Sequence, residues 1–116
     1  AGTAYDLRTA RVLGPIIAAT GGLDDCYLPD GDGMRVMARL YAAESGRVMA
    51  VSSDAPGLQV YTGNSLHAPF EVHQSVSLEA QRLPDAPNQP GLGPCVLRPG
   101  EEYATTTLLE FSTPDS

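Results

Sequence analysis

The sequence predicts an all-β chain of antiparallel strands, and three observations carry that reading. Apolar and polar residues alternate with a period of two from Met34 to Tyr41 and again from Arg47 to Ser52. Glycine-, proline- and asparagine-bearing turns separate short stretches of this kind along the rest of the chain. No long segment develops the 3.6-residue period of a helix, and strand following strand defines the class.

With 116 residues the chain is one domain or a piece of one, and residues 1–116 are read as a single partial domain. The hydrophobic share is 42%, with no tryptophan and 6% aromatics, enough for a modest core that profits from a partner surface. Fourteen acidic against seven basic residues give a net charge of −7, and no run of Lys or Arg offsets it locally, which excludes nucleic acid as a partner. No window approaches a bilayer span, and the first residues lack the pattern of a signal peptide, so no membrane is expected and a cytoplasmic setting is the default. Cys26 and Cys95 lie far apart outside any CxxC arrangement and read as two free, partly buried thiols. His67 and His73, six apart, suit neither a helical metal pair nor a zinc hairpin, so no metal site is expected.

Taken in order, residues 1–22 read as irregular chain with at most a brief helical turn over 15–19, because Gly14 and Pro15 punctuate it. A chain opening without a turn or cap of its own reads as cut rather than started. In Gly22–Leu28 the adjacent acids Asp24 and Asp25 either make a turn or, if extended, point in opposite directions, so that at most one faces a given site. Residues 34–53 form an antiparallel hairpin about Glu44–Ser45–Gly46, its arginines a solvated face. Leu58–Thr62 is a further strand, with Tyr61 expected in the core, the alternative being an apolar face offered to a ligand ring. His67 and His73 are expected at the surface.

The apolar strand at Val76 and Leu78 runs into Glu79, and a loop stiffened by Pro84, Pro87 and Pro90 follows at once. A carboxylate so held at the rim of a sheet is the first candidate for chemistry, the plainer reading being a solvated glutamate. Gln81 lies on the same side of an extended strand as Glu79 and could orient it or touch a ligand. Cys95–Leu97 and Tyr103–Phe111 read as the last strands, and residues 113–116 as a plausible natural C-terminus.

Leu78, Glu79, Gln81, Pro84, Asp85 and Asn88 together resemble the C-terminal signature of the aldose 1-epimerase (galactose mutarotase) family. Other segments are similar in the same order: Gly2–Thr3 with Tyr5–Arg8, Pro56–Gly57 with Gln59 and Tyr61–Asn64, and Leu97–Glu101 with Tyr103. The resemblance covers essentially the whole chain and only the back part of the family's usual length. It implies the C-terminal strands of a large β-sandwich and an isomerase that interconverts the α and β anomers of aldohexoses such as glucose and galactose without a cofactor. Carried over by position, it makes Glu79 the general base and Asp24 a substrate hydrogen-bonding group, with Asp25 where the family very often has His. The family's general-acid histidine belongs to an N-terminal half that this chain does not contain, and neither His67 nor His73 sits in a segment matching it. Two expectations follow: the C-terminal part of a mutarotase that acts with an N-terminal half, or a non-catalytic carbohydrate-binding or interaction domain that pairs or self-associates through exposed strand edges.

Overall fold

The computed structural model of the chain describes residues 2–114. One α-helix, α1 (Leu13–Thr20), precedes the strands β1 (Asp24–Tyr27), β2 (Arg35–Ala42), β3 (Arg47–Ser53), β4 (Gly57–Tyr61), β5 (Ser77–Gln81) and β6 (Thr107–Ser112). These make two three-stranded antiparallel sheets, ordered β1-β4-β5 and β2-β3-β6, as the all-β expectation requires. The final residues of the expected C-terminus, 115 and 116, lie outside the described residues. The chain divides into two compact units, one drawn from residues 1–25 and 59–79, the other from 26–58 and 80–116.

In the first unit, Asp6 gathers the opening segment. Its carboxylate accepts from the backbone N–H of Gly2 at 3.0 Å and pairs with the Arg8 guanidinium at 2.7 Å. The Arg8 side chain, then the Gly2 and Arg8 amides, hold the Asp6 carboxyl below the usual carboxylate range. Helix α1 is longer than the turn expected over 15–19. Gly14 and Pro15 fall in its first turn, where backbone N–H groups have no intrahelical acceptor, so the proline removes nothing the helix uses. The helix ends on Gly21 in the left-handed region, whose N–H donates to the Ile17 carbonyl at 2.8 Å. Ile16, Leu23, Val60 and Thr62 are buried and form this unit's centre.

The second unit holds the expected hairpin. Gly46, at φ 70, returns its N–H to the Ala42 carbonyl at 2.8 Å and closes the turn. The alternation along β2 is not continuous, however. The register with β3 shifts between Val36 and Ala38, so Met37 is the extra residue of a β-bulge. Arg35 then shares a face with Ala38 and Leu40, while Val36 falls with Arg39 and Tyr41 on the exposed one. Arg35 therefore departs from the solvated role expected of the hairpin arginines. Its Nη1 donates to the carbonyls of Gly33 (3.1 Å), Ser53 (3.1 Å) and Ala55 (2.7 Å) and ties both ends of the hairpin together. Arg39 and Arg47 are exposed, as expected.

Two expectations for the last strands are corrected. Residues 95–97 form no strand and are exposed, Cys95 among them, and a single 3₁₀ turn, Pro90–Leu92, precedes them. The final strand begins at Thr107 rather than at Tyr103. Asp54, just past β3, diverts the intervening chain: its carboxylate accepts from the Thr105 hydroxyl (2.6 Å) and the Thr106 N–H (3.0 Å). From Thr107 onward β6 pairs antiparallel with β3, setting Phe111 opposite Met49 and Leu109 opposite Val51. Every residue of β6 is exposed.

Candidate active site

Asp24 opens β1, so the extended reading of the Asp24–Asp25 pair holds and the turn does not. The residues before it are anchored. Leu23 is fully buried, and its N–H donates to the Thr62 hydroxyl at 2.7 Å. Its carbonyl accepts from the Thr62 N–H at 3.0 Å and the Asn64 side-chain amide at 3.1 Å, while the Thr62 hydroxyl donates to Asn64 Oδ1 at 2.8 Å. Asn64 packs against Gly22 so closely that a Cβ there would meet its Oδ1 at 2.0 Å, and Gly22 also has φ 115, so only glycine fits. A knot of four residues, fully buried at Leu23 and Thr62, thus fixes the backbone that presents Asp24.

The Asp24 carboxylate is itself held. Gln59, in the middle of β4, donates from Nε2 to Asp24 Oδ1 at 2.9 Å. A carboxylate can only accept, so the bond also fixes which end of the amide faces the acid. Gln59 Oε1 is buried with no donor among the described residues. An unmet buried acceptor costs about 1–3 kcal/mol, a cost found where position matters more than stability. The sequence reading placed Gln59 in a family-like segment but gave it no role. The signal was there in the alternation of β4, which puts Gln59 and Tyr61 on one side and the buried Leu58 and Val60 on the other.

Glu79 lies at the centre of β5, not one residue past a strand, and is exposed. Its Oε2 accepts from the Ser77 hydroxyl at 3.3 Å, and Oε1 receives no hydrogen bond among the described residues. A Cβ on Gly57 would stand 3.5 Å from the Gln81 carbonyl, and one on Gly63 3.2 Å from that of Ser75, so β4 and β5 run antiparallel with Gln59 about level with Glu79. Gln81 is the last residue of β5, half-buried, and two along from Glu79 on the same side of the strand. The loop after it is organised by Asp85, whose carboxylate accepts from the side-chain amides of Asn88, at 2.8 Å, and Gln89. Those two donors, Asn88 first, hold the Asp85 carboxyl below its usual range. The Pro84–Asp85–x–x–Asn88 motif is therefore a loop staple rather than a reacting group.

The histidines stand apart from one another in character. His67 is exposed, its Nδ1 3.1 Å from the neighbouring Ala68 carbonyl. His73 departs from the surface expectation: it is half-buried, sits at φ 61, and has its Nε2 buried near Gly22. Tyr61 departs from the core expectation, being half-buried with its hydroxyl accepting from the Ser65 N–H at 2.9 Å. Both cysteines are free thiols; Cys26 is half-buried and burial pushes its thiol up. Among the described residues no three His, Cys, Asp or Glu side chains gather to hold a metal, and no helix is long and apolar enough to cross a membrane. An open cleft of about 240 Å³, against Asp54, Pro56, Arg82, Pro94, Tyr103 and Thr105, contains none of Asp24, Gln59 or Glu79.

The structure thus defines an all-β protein that presents a carboxylate-and-amide pair and a second carboxylate from neighbouring strands of one sheet. The chain belongs to the aldose 1-epimerase family, whose model matches residues 1–110. It is 41% identical to the galactose mutarotases of Bos taurus and Homo sapiens, over 96% of this chain and 36% of each relative. It is 35% identical to the aldose 1-epimerase of Escherichia coli, over 96% of this chain and 37% of that protein. The chain therefore spans just over a third of the length of these relatives.

Proposed function

We propose that the chain supplies the base side of an aldose 1-epimerase site acting on aldohexoses such as glucose and galactose. The observation that carries this is the pairing of Asp24 with Gln59 beside the strand that bears Glu79, in a chain of this family. Glu79 takes the proton from the anomeric hydroxyl through Oε1 while an acid protonates the ring oxygen. The ring opens to the aldehyde, the C1–C2 bond turns, and reclosure on the other face returns both protons. Asp24 accepts from a sugar hydroxyl, with Gln59 fixing its position, and Gln81 orients Glu79 or contacts the sugar. These are general acid–base steps, each contributing about 10²–10⁴ in rate, and the scheme calls for no cofactor.

The acid is a histidine from the part of a family-length polypeptide that this chain does not include. That part also has a place to bind. The β2-β3-β6 sheet exposes Leu109 and Phe111, at 50% and 73%, on one face, opposite Val51 and Met49, an apolar surface of the kind a partner covers. We take residues 1–116 as the C-terminal portion of one cytoplasmic sandwich domain, completed either by that N-terminal portion or by a second copy along the strand edges. The second reading, a non-catalytic sugar-binding or interaction domain of the same ancestry, is favoured for the isolated chain by His73, whose Nε2 is buried rather than presented.

Anomer exchange of glucose and galactose, followed by NMR magnetisation transfer, tests the proposal. With the chain mixed with the N-terminal portion of a relative, exchange should exceed buffer and fall about 10²–10⁴-fold in Glu79→Gln. Equal exchange in Glu79→Gln removes the base assignment. Sugar binding without exchange in any mixture establishes the second reading instead.

A further inference from the structure

The groups assigned so far meet only the hydroxyls of a sugar, while a pyranose ring also presents apolar C–H faces. We propose that Tyr61 is the platform on which a C–H face of the bound aldopyranose rests, an inference that depends on the sugar site proposed for Asp24, Gln59 and Glu79. On β4 the buried side is Leu58 and Val60, at 2% and 6% exposure, and the half-buried side is Gln59 and Tyr61. Side chains two apart on one side of a strand leave the backbone about 6.6 Å apart, close to the breadth of a pyranose ring. A sugar whose hydroxyls reach the Asp24–Gln59 pair is therefore within about one ring's breadth of Tyr61.

The ring is also held ready. Its hydroxyl accepts from the Ser65 N–H at 2.9 Å, so the side chain is tethered at its far end as well as at the strand. Ser65 is placed by the same chain that anchors Asp24: Thr62 and Asn64 bind Leu23, and the Leu66 N–H closes a turn on the Gly63 carbonyl at 3.3 Å. One knot thus sets both the hydroxyl-binding acid and the aromatic surface. A ring tethered at its far end has less rotamer freedom to lose and binds an apolar face at lower entropic cost. The Tyr61 hydroxyl hydrogen remains free to donate, but the Ser65 bond uses only its oxygen, so phenylalanine keeps the platform and loses only the tether.

The test uses the unmodified chain first. Galactose and glucose should shift the Tyr61 ring resonances, and saturating those ring protons should transfer to sugar C–H protons. Sorbitol, with hydroxyls but no ring face, should do neither. In Tyr61→Leu, hexose affinity should fall roughly three- to tenfold, the size expected of one aromatic contact, with Tyr61→Phe between it and the unmodified chain. In the complemented enzyme the loss should appear in KM, with kcat unchanged. Hexose binding that shifts Asp24 and Gln59 but leaves the Tyr61 ring silent overturns the platform and spares the sugar site. Equal response to sorbitol overturns it as well, and hexose that perturbs none of the three residues overturns both.

Discussion

Asp54 shows how one side chain sets the limit of a strand and responds to acid. The Thr105 hydroxyl, then the Thr106 N–H, hold its carboxyl below the usual carboxylate range. A folded-state pKa below the unfolded value of about 3.9 gives stability that is fully present above that value and is lost as pH falls through the folded pKa. Asp54→Asn should therefore melt below the parent at pH 6, with the gap closing as the pH drops under about 4; a gap independent of pH in thermal melts would show that the charge is not what counts. Residues of the candidate site were unevenly legible. Glu79 and Asp24 stand in motifs readable along the chain, whereas Gln59 matters through a partner 35 residues away, a pairing that only the β1-β4 neighbourhood creates. His73 and Tyr61 were misjudged for different reasons. His73 owes its burial to Gly22, 51 residues away, an approach that only tertiary folding makes, whereas the Tyr61 hydroxyl is tethered by Ser65, four residues on.

At the scale of elements, the start of β1 depends on one missing methyl group. Gly22→Ala combines a strained positive φ with a Cβ driven into Asn64, and the two effects together should cost about 2–4 kcal/mol. Chemical denaturation measures that loss, and a change under 1 kcal/mol would mean the Asn64 knot yields freely. Period-two alternation was enough to find the hairpin and β4 within a residue. The bulge at Met37 escaped because one inserted residue leaves the sequence pattern looking continuous while exchanging the faces of everything before it. Residues 95–97 carried strand-like side chains without a neighbouring strand to pair with, and propensity without a partner makes no ladder. Helix α1 was underestimated because Gly14 and Pro15, breakers inside a helix, are harmless in its first turn.

At the scale of the molecule, the exposed sheet makes a prediction about assembly. Phe111, 73% exposed, contributes little to the chain's own stability, so Phe111→Glu should leave its melting unchanged within about 0.5 kcal/mol. The same variant should lose most of the complementation by an N-terminal portion; full complementation would place the partner elsewhere. That the chain matches just over a third of the length of its family relatives could be read from its motifs. Its division into two units could not, because each is assembled from two separated stretches. That interleaving has a consequence for the order in which the chain folds. The β2-β3 turn closes over four residues, from Ala42 to Gly46, whereas the knot that presents Asp24 waits for Leu23 to find Thr62 across 39. Loop-closure entropy makes the longer search roughly 2 kcal/mol harder to begin. During refolding, amides of the hairpin should gain protection from solvent exchange before that of Leu23, so Asp24, the acid proposed to bind the sugar, is among the last groups to be set in place.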